Sequence, residues 1–260
     1  MGTFLFDKVI FGPVKSRRLG VSLGINLLPG AKKVCNFNCI YCECGWSQPV
    51  EKNGGYLPGA EEVYEFLASR LQEMKVRDEA PDVITFAGNG EPTLHPEFPL
   101  IIDSSIMLRN KFFPKAKIAV LSNATTITNP AIRDALMKAD MNILKLDSAF
   151  DETIRIHNQP RMEIKAVELI ENLVKFRGRV IIQTLFLRGK YNRRIIDNTT
   201  TDEINAWLAA LEKIMPSSVM IYTISRDTPV GGLLTKVPRE ELLHIASRVE
   251  KLGIPAQVSA

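Results

Sequence analysis

Outside one ten-residue stretch the 260-residue sequence has no cysteine: its four thiols are Cys35, Cys39, Cys42 and Cys44. No long-range disulfide can be drawn, which fits a reducing compartment, and no second set of cysteines remains to ligate another metal cluster. No apolar run approaches the roughly eighteen residues of a membrane span. The short apolar start, Met1–Ile10, is broken by Asp7 and Lys8 and has no small-residue cleavage site, so it does not read as a signal peptide. A cytoplasmic protein with no membrane partner is the expectation. Neither sign of charge dominates: a net charge of +4 permits an anionic substrate without arguing for nucleic acid by itself. Internal repeats, low-complexity tracts and linker-like shifts of composition are missing too. With 45% hydrophobic and 24% charged residues, the chain reads as one soluble globular domain over 1–260.

What is present is concentrated in Cys35-Asn36-Phe37-Asn38-Cys39-Ile40-Tyr41-Cys42. Three thiolates in one short loop can converge on a metal cluster, and iron–sulfur clusters are held by cysteine thiolates. Three ligands are one too few for a four-iron cube. The iron left without a protein ligand is a Lewis-acidic site at which a small molecule can chelate. The alternative is a zinc site or a group of packed cysteines. Structural zinc usually takes four ligands from two separated pairs, whereas these four crowd together with no histidine nearby. Cys44 can be read as a small buried apolar residue, an alternative ligand or a thiol facing substrate.

A second motif, Gly88-Asn89-Gly90-Glu91-Pro92-Thr93, follows an apolar strand, Val83–Phe86, by one residue. Glycines there permit positive φ and a close approach of another molecule to the backbone. Taken alone the pattern is weak, and a plain turn is its default reading.

Periodicity lays out six strands alternating with helices. The strands are Val21–Leu28, Val83–Phe86, Lys117–Leu121, Asn142–Leu146, Val180–Leu187 and Val219–Ile224. Between them run helices with apolar faces at Ala60–Met74, Pro99–Phe113, Pro130–Ala139, Asp151–His157, Val167–Val174 and from Thr201 to Met215, with a last helix at Pro238–Leu252. Gln48–Pro58 and Arg188–Asp197 read as loops. Alternation of this kind implies parallel strands joined by right-handed crossovers, with polar groups gathered at the strands' carboxyl ends.

The cysteine triplet with Tyr41 before its last member, joined to the glycine-rich turn ending in Glu91-Pro92, resembles the signature of the radical S-adenosylmethionine (SAM) superfamily. The opening from Phe11 to Cys42, and Asn89 between two glycines with Leu94-His95-Pro96 following, resemble its stand-alone branch related to wyosine-type tRNA-modifying proteins. The resemblance implies an α/β partial (β/α)6 TIM-like barrel with parallel strands and helices outside. Residues 1–20 would be an N-terminal extension, 21–226 the core barrel and 227–260 a C-terminal loop and helix.

It also implies a [4Fe–4S] cluster on Cys35, Cys39 and Cys42, with SAM chelating the open iron. A one-electron reductant such as flavodoxin or ferredoxin would drive cleavage of SAM to a 5′-deoxyadenosyl radical that takes hydrogen from substrate. Gly88, Asn89, Gly90 and Glu91 would hold SAM's amino group, and Tyr41 would pack near the adenine or the cluster. Ser122 and Asn123 would touch the carboxylate or ribose, Asp147 the ribose or substrate, and Gln183 would also reach SAM. For each of these the alternative is a strand-end cap or turn residue. His95 reads as a loop or helix-start residue. Wyosine-forming relatives carry further N-terminal cysteines for an additional cluster, so that reaction is not expected here.

Substrate recognition rests on less. Arg188, Lys190, Tyr191, Arg193 and Arg194 form a basic run with one aromatic, a surface able to hold phosphate and stack a base of RNA, or else a solvated loop. Arg226 is a single anchor for a carboxylate or phosphate. Arg17 and Arg18 are a solvated pair or an anion site. The substrate is then RNA or a small anionic metabolite. Two other classes stand beside this one: an activating enzyme for a glycyl-radical partner, and a non-catalytic iron–sulfur redox protein, which would have no need of a methionine-binding turn.

Overall fold

The computed structural model describes residues 4–16, 18–47 and 56–260, so Arg17 lies outside the described residues. They divide into two compact units, one of Leu5–Cys35 and Ser47–Asn142, the other of Asn36–Trp46 and Ile143–Ala260 together with Phe4.

In the first unit β1 (Ile10–Ser16) runs antiparallel to β2 (Gly20–Ile25). Between the second strand and the next lies helix α1 (Ala60–Val76), which buries Val63, Leu67, Leu71 and Met74 at helical spacing. Next come β3 (Val83–Phe86), α2 (Phe98–Phe112), β4 (Lys117–Ser122) and α3 (Pro130–Lys138). Strand β3 pairs in parallel with β2 on one side and β4 on the other. The side-chain oxygen of Asn129 accepts the Ala131 N–H and Pro130 takes the first helical position, so α3 starts where the sequence predicts. Strand β2 stops three residues short of the predicted Leu28. Asn26 is the reason: its side chain accepts from Leu28 N (3.3 Å) and donates to Leu28 O (2.8 Å), giving the backbone a local partner in place of a ladder.

The chain passes between units within β5 (Met141–Lys145). The second unit then holds α4 (Asp151–His157), α5 (Ala166–Val174), β6 (Ile181–Leu185), β7 (Leu187–Tyr191), β8 (Arg194–Asp197) and α6 (Thr201–Ile214). It ends with β9 (Ser218–Tyr222), β10 (Leu234–Lys236), α7 (Arg239–Glu250) and β11 (Ala256–Ser259). Strands β5, β6, β9 and β11 pair in parallel in that order. Trp207 of α6 anchors this core: it is buried, edge-on to Phe186 at 5.3 Å, and its indole N–H reaches the Thr184 hydroxyl at 3.1 Å.

Three sequence expectations change. Residues 188–197 are not a loop but the hairpin of β7 and β8, with β10 on the far side of β7. Its two-residue turn, Asn192-Arg193, has positive φ at both positions, the geometry that a hairpin turn requires but without the glycine that usually signals it. The N-terminal extension contributes strand β1, and the C-terminal segment adds β11 beyond its helix.

Two stability measurements follow from these contacts. Buried Asn26 also accepts the Asn89 N–H (3.1 Å), so Asn26→Ala strands several buried groups and should lower the unfolding free energy by about 1–3 kcal/mol. A urea midpoint equal to that of the parent chain would refute this role. His157 is buried, Nδ1 lacks a hydrogen-bond partner, and burial pulls its pKa down to about 4. The unfolded chain therefore binds the extra proton first, and stability should fall as pH drops from about 6.5 towards about 4, by up to roughly 3 kcal/mol. His157→Leu should flatten that part of the stability–pH curve; an unchanged slope would exclude His157 as its source.

Candidate functional site

In the first unit the turn after β3 is built on backbone that only glycine tolerates. Gly88 and Gly90 have φ of +146° and +140°, and a Cβ on Gly90 would lie 1.8 Å from the Val34 carbonyl oxygen. That close approach is a two-way backbone pairing. Val34 N–H donates to Asn89 O (2.8 Å) and Glu91 N–H to Val34 O (3.1 Å). The residue just before Cys35 is thereby fixed to the glycine-rich turn.

Asn89, placed in the turn expected to hold SAM's amino group, turns its side chain to the protein. Its amide nitrogen donates to Phe6 O and Pro29 O (both 2.8 Å) and its oxygen accepts from Phe6 N (2.8 Å). Glu91 is buried, with one carboxylate oxygen accepting from Thr93 N (3.2 Å) and Thr93 Oγ1 (2.5 Å) and the other from Asn123 N (2.6 Å). Burial raises its pKa, against the opposing pull of those donors. At the end of β4, Ser122 Oγ accepts from Ala124 N (3.1 Å). Asn123 accepts from Thr125 N and Oγ1 and turns its amide nitrogen to Cys35 Sγ at 3.6 Å. His95 donates from Nε2 to Pro58 O (3.0 Å) and accepts Glu97 N at Nδ1 (3.2 Å), and burial lowers its pKa, so it is a neutral loop fastener.

The second unit carries Cys39 and Cys42. Their segment is tied by main-chain bonds to the end of α4: Asn38 N to Asn158 O (2.8 Å), Ile40 N to His157 O (3.0 Å), and Arg161 N to Asn36 O (2.9 Å). Beside it lies a buried polar cluster. Tyr41 Oη donates to Asp147 Oδ2, and the Asn158 amide nitrogen approaches Asp147 Oδ2 (2.7 Å), Tyr41 Oη (2.9 Å) and Cys39 Sγ (3.5 Å). Lys145, mostly buried, stands 3.6 Å from Asp147 Oδ2 and 3.3 Å from Tyr222 Oη, and 5.1 Å above the Tyr41 ring. Burial is the largest single influence and pulls the Lys145 pKa down, but Asp147, Tyr222 and Cys39 together outweigh it and the net shift is upward. Burial, then Asp147, raises the Tyr41 phenol well above its usual value. Gln183 is buried on β6, in register with Lys145 on β5.

The substrate candidates do not come together. Arg188 is committed within the protein, to Glu241, Asp197 (3.1 Å) and Thr199; Glu241 first and then Asp197 raise its pKa, and Glu241 pins β7 to α7. Arg193 sits exposed at the hairpin tip, and Arg226 pairs with Glu43 at 2.8 Å and lies over the Phe4 ring. Cys44 is partly exposed. Sequence reading missed Lys145, Asn158 and Tyr222. A lysine two residues before Asp147 at the end of an apolar strand was the available signal for the first. Asn158, the residue just after the helix Asp151–His157, gives no signal beyond that of an ordinary helix end.

By residue type the cysteines suit an iron–sulfur cluster, which selects soft thiolate ligands; in the first unit Cys35 Sγ meets the Asn123 amide nitrogen, and in the second Cys39 Sγ meets that of Asn158.

Comparison with known proteins agrees with this chemistry. Residues 32–214 match the model of the radical SAM superfamily. The chain is 32% identical over 257 residues to a UPF0026 protein of Helicobacter pylori strain J99, covering 95% of this chain and 75% of that one. It is also 32% identical over 225 residues to a protein of Brachyspira hyodysenteriae named GTPase Obg, covering 86% of this chain but about a third (31%) of that one. Among solved structures it is similar to a radical SAM methyltransferase from Sphaerobacter thermophilus, with a TM-score of 0.66 at 14% identity over 92% of this chain and 65% of that one. That likeness shows the fold alone, the α/β partial-barrel class expected from the sequence. No helix among the described residues is long and apolar enough to cross a membrane. By the match over most of its length, this chain belongs to the radical SAM superfamily, whose cofactors are S-adenosylmethionine and a [4Fe–4S] cluster.

Proposed function

We propose that the chain is a radical SAM enzyme in which Cys35, Cys39 and Cys42 ligate the cluster and leave one iron for SAM. The observation that carries this reading is the backbone pairing of Val34 with the Gly88–Glu91 turn, which ties the residue before the first ligand to the turn expected to hold SAM's amino group. When bound, the cluster supplies the electron that breaks SAM's C5′–S bond. The chain's own residues bind and orient. In the first unit the main chain of Gly88 and Gly90, with Glu91, receives the amino group, and Ser122 and Asn123 lie at the adjoining strand end. In the second unit Tyr41, Asp147 and Gln183 serve the nucleoside, with Lys145 standing 3.6 Å from Asp147.

For substrate, the hairpin of β7 and β8 supports an RNA reading. Its tip offers Lys190 and Arg193, and Tyr191 stands 6.4 Å from the partly exposed Trp46, so cations and two aromatic faces share one surface. Arg188 holds the hairpin in place through Glu241 rather than meeting the substrate itself. The electron donor fits a flavodoxin or ferredoxin.

Anaerobic reconstitution tests the reaction class. The parent chain should hold four irons per protein and release 5′-deoxyadenosine from SAM with a strong reductant, and Cys39→Ser should lose both cluster and product; a protein that takes up zinc, or holds the cluster yet forms no product, would sink the proposal. For the substrate, binding of a single-stranded RNA should weaken steeply with salt, and Arg193→Ala should reduce the slope of log K against log salt by about one. Salt-independent binding, or an unchanged slope, would turn the search to small anionic metabolites.

A further inference from the structure

Two asparagines, one in each unit, present side-chain nitrogen to sulfur. Asn158 is buried, and its amide orientation is fixed by its neighbours: a carboxylate oxygen of Asp147 at 2.7 Å can only accept, so nitrogen and not oxygen faces it. That same nitrogen lies 3.5 Å from Cys39 Sγ and 2.9 Å from Tyr41 Oη. An amide has two hydrogens, so three acceptors share two protons. The Tyr41 proton already serves Asp147, which leaves the sulfur and the carboxylate as the acceptors with most negative charge. Asn123 is oriented in the same way. Its oxygen accepts from Thr125 N (3.0 Å) and Oγ1 (2.7 Å), so its nitrogen turns to Cys35 Sγ at 3.6 Å.

A helix stop needs only the backbone of Asn158, whose carbonyl accepts from Asn38 N at 2.8 Å. The side chain does something further. Resting on the reading of Cys35, Cys39 and Cys42 as cluster ligands, we propose that Asn158 is a positioning residue for electron uptake, its amide donating to the Cys39 sulfur and setting the potential of the cluster, with Asn123 acting likewise at Cys35. A reduced cluster carries one more negative charge, part of it on the ligand sulfurs. An N–H donor aimed at sulfur in a buried site stabilises that charge more than it stabilises the oxidised form, and so makes reduction easier. The shared hydrogens also link the sulfur to Asp147 and Tyr41. As sulfur gains charge it draws the amide towards itself, loosening the hold on Asp147.

The test uses the full chain, reconstituted anaerobically without SAM. Asn158→Leu keeps a branched side chain of four heavy atoms, removes the N–H donors and leaves Tyr41 and Asp147 bonded to each other. It should bind the same iron and sulfide as the parent, while its ratio of reduced to oxidised cluster at a fixed solution potential falls by about threefold to tenfold, the worth of one such hydrogen bond. An unchanged ratio overturns the inference and leaves the ligand reading intact. Electron–nuclear double resonance on the reduced parent protein decides independently of whether the variant folds: an exchangeable amide proton coupled to the cluster is expected, and its absence overturns the inference. A parent chain that holds no four-iron cluster would bring down the ligand reading and this inference together.

Discussion

The contact on which the first unit's site depends is the approach of the Val34 carbonyl to Gly90. A methyl group at that glycine would overlap the oxygen, and φ of +140° excludes an L side chain on its own account. Two backbone hydrogen bonds, on either side of Asn89 and Glu91, then fix the chain entering Cys35. Neither is strong in net terms, at about 1 kcal/mol each, so the pairing needs support. Buried Asn26 and Asn89 provide it by occupying the backbone groups of Phe6, Leu28 and Pro29 that no strand ladder reaches. Leaving those groups unpaired in the interior would cost as much as the pairing gains. The main chain of the turn is therefore held by contacts within the protein itself.

The second unit solves a different problem, the burial of charge. Moving an ammonium or a carboxylate out of water costs several kcal/mol per ion, and attraction between the two offsets this only when the remaining hydrogen-bonding capacity is used. Asp147 meets that condition: it accepts from Tyr41, Asn158 and Leu185 N (3.0 Å). Lys145 meets it less fully, with long contacts to Asp147 and Tyr222 and the face of the Tyr41 ring beneath it. An ammonium held at long range keeps donor capacity for a further acceptor.

How much of this the sequence disclosed depends on the kind of signal. Strand Val83–Phe86, helix α1 and the start of α3 at Pro130 were legible because their signals are local: a short apolar run, an apolar stripe, a proline suited to the first turn. The β7–β8 hairpin was not, because its turn uses Asn192-Arg193 at positive φ where glycine is the readable cue, and its charges mimic a solvated loop. Strand β11 was hidden for a related reason, since a four-residue edge strand needs its partner β9 to be recognised. In the site, residue type announced the cysteines and the glycine turn, but direction did not follow from type. Asn89 looked like a ligand and points into the protein; Asn158 looked like punctuation and points at sulfur.

Arg188 shows the same distinction on the surface. As one of several cations in a row it was a natural anchor for an anion, yet it already faces two carboxylates and a hydroxyl. A guanidinium in that setting could take a phosphate only by giving up Glu241, and the exchange would gain little because one charged contact replaces another. Arg193, exposed at the tip, has no ion pair among the described residues to give up in such an exchange. Under the RNA reading proposed above, the arginine nearest the strand's root would keep its attachment to α7, and recognition would fall to the residues farthest from it, where Trp46 and Tyr191 would offer a stacking face that charge alone cannot.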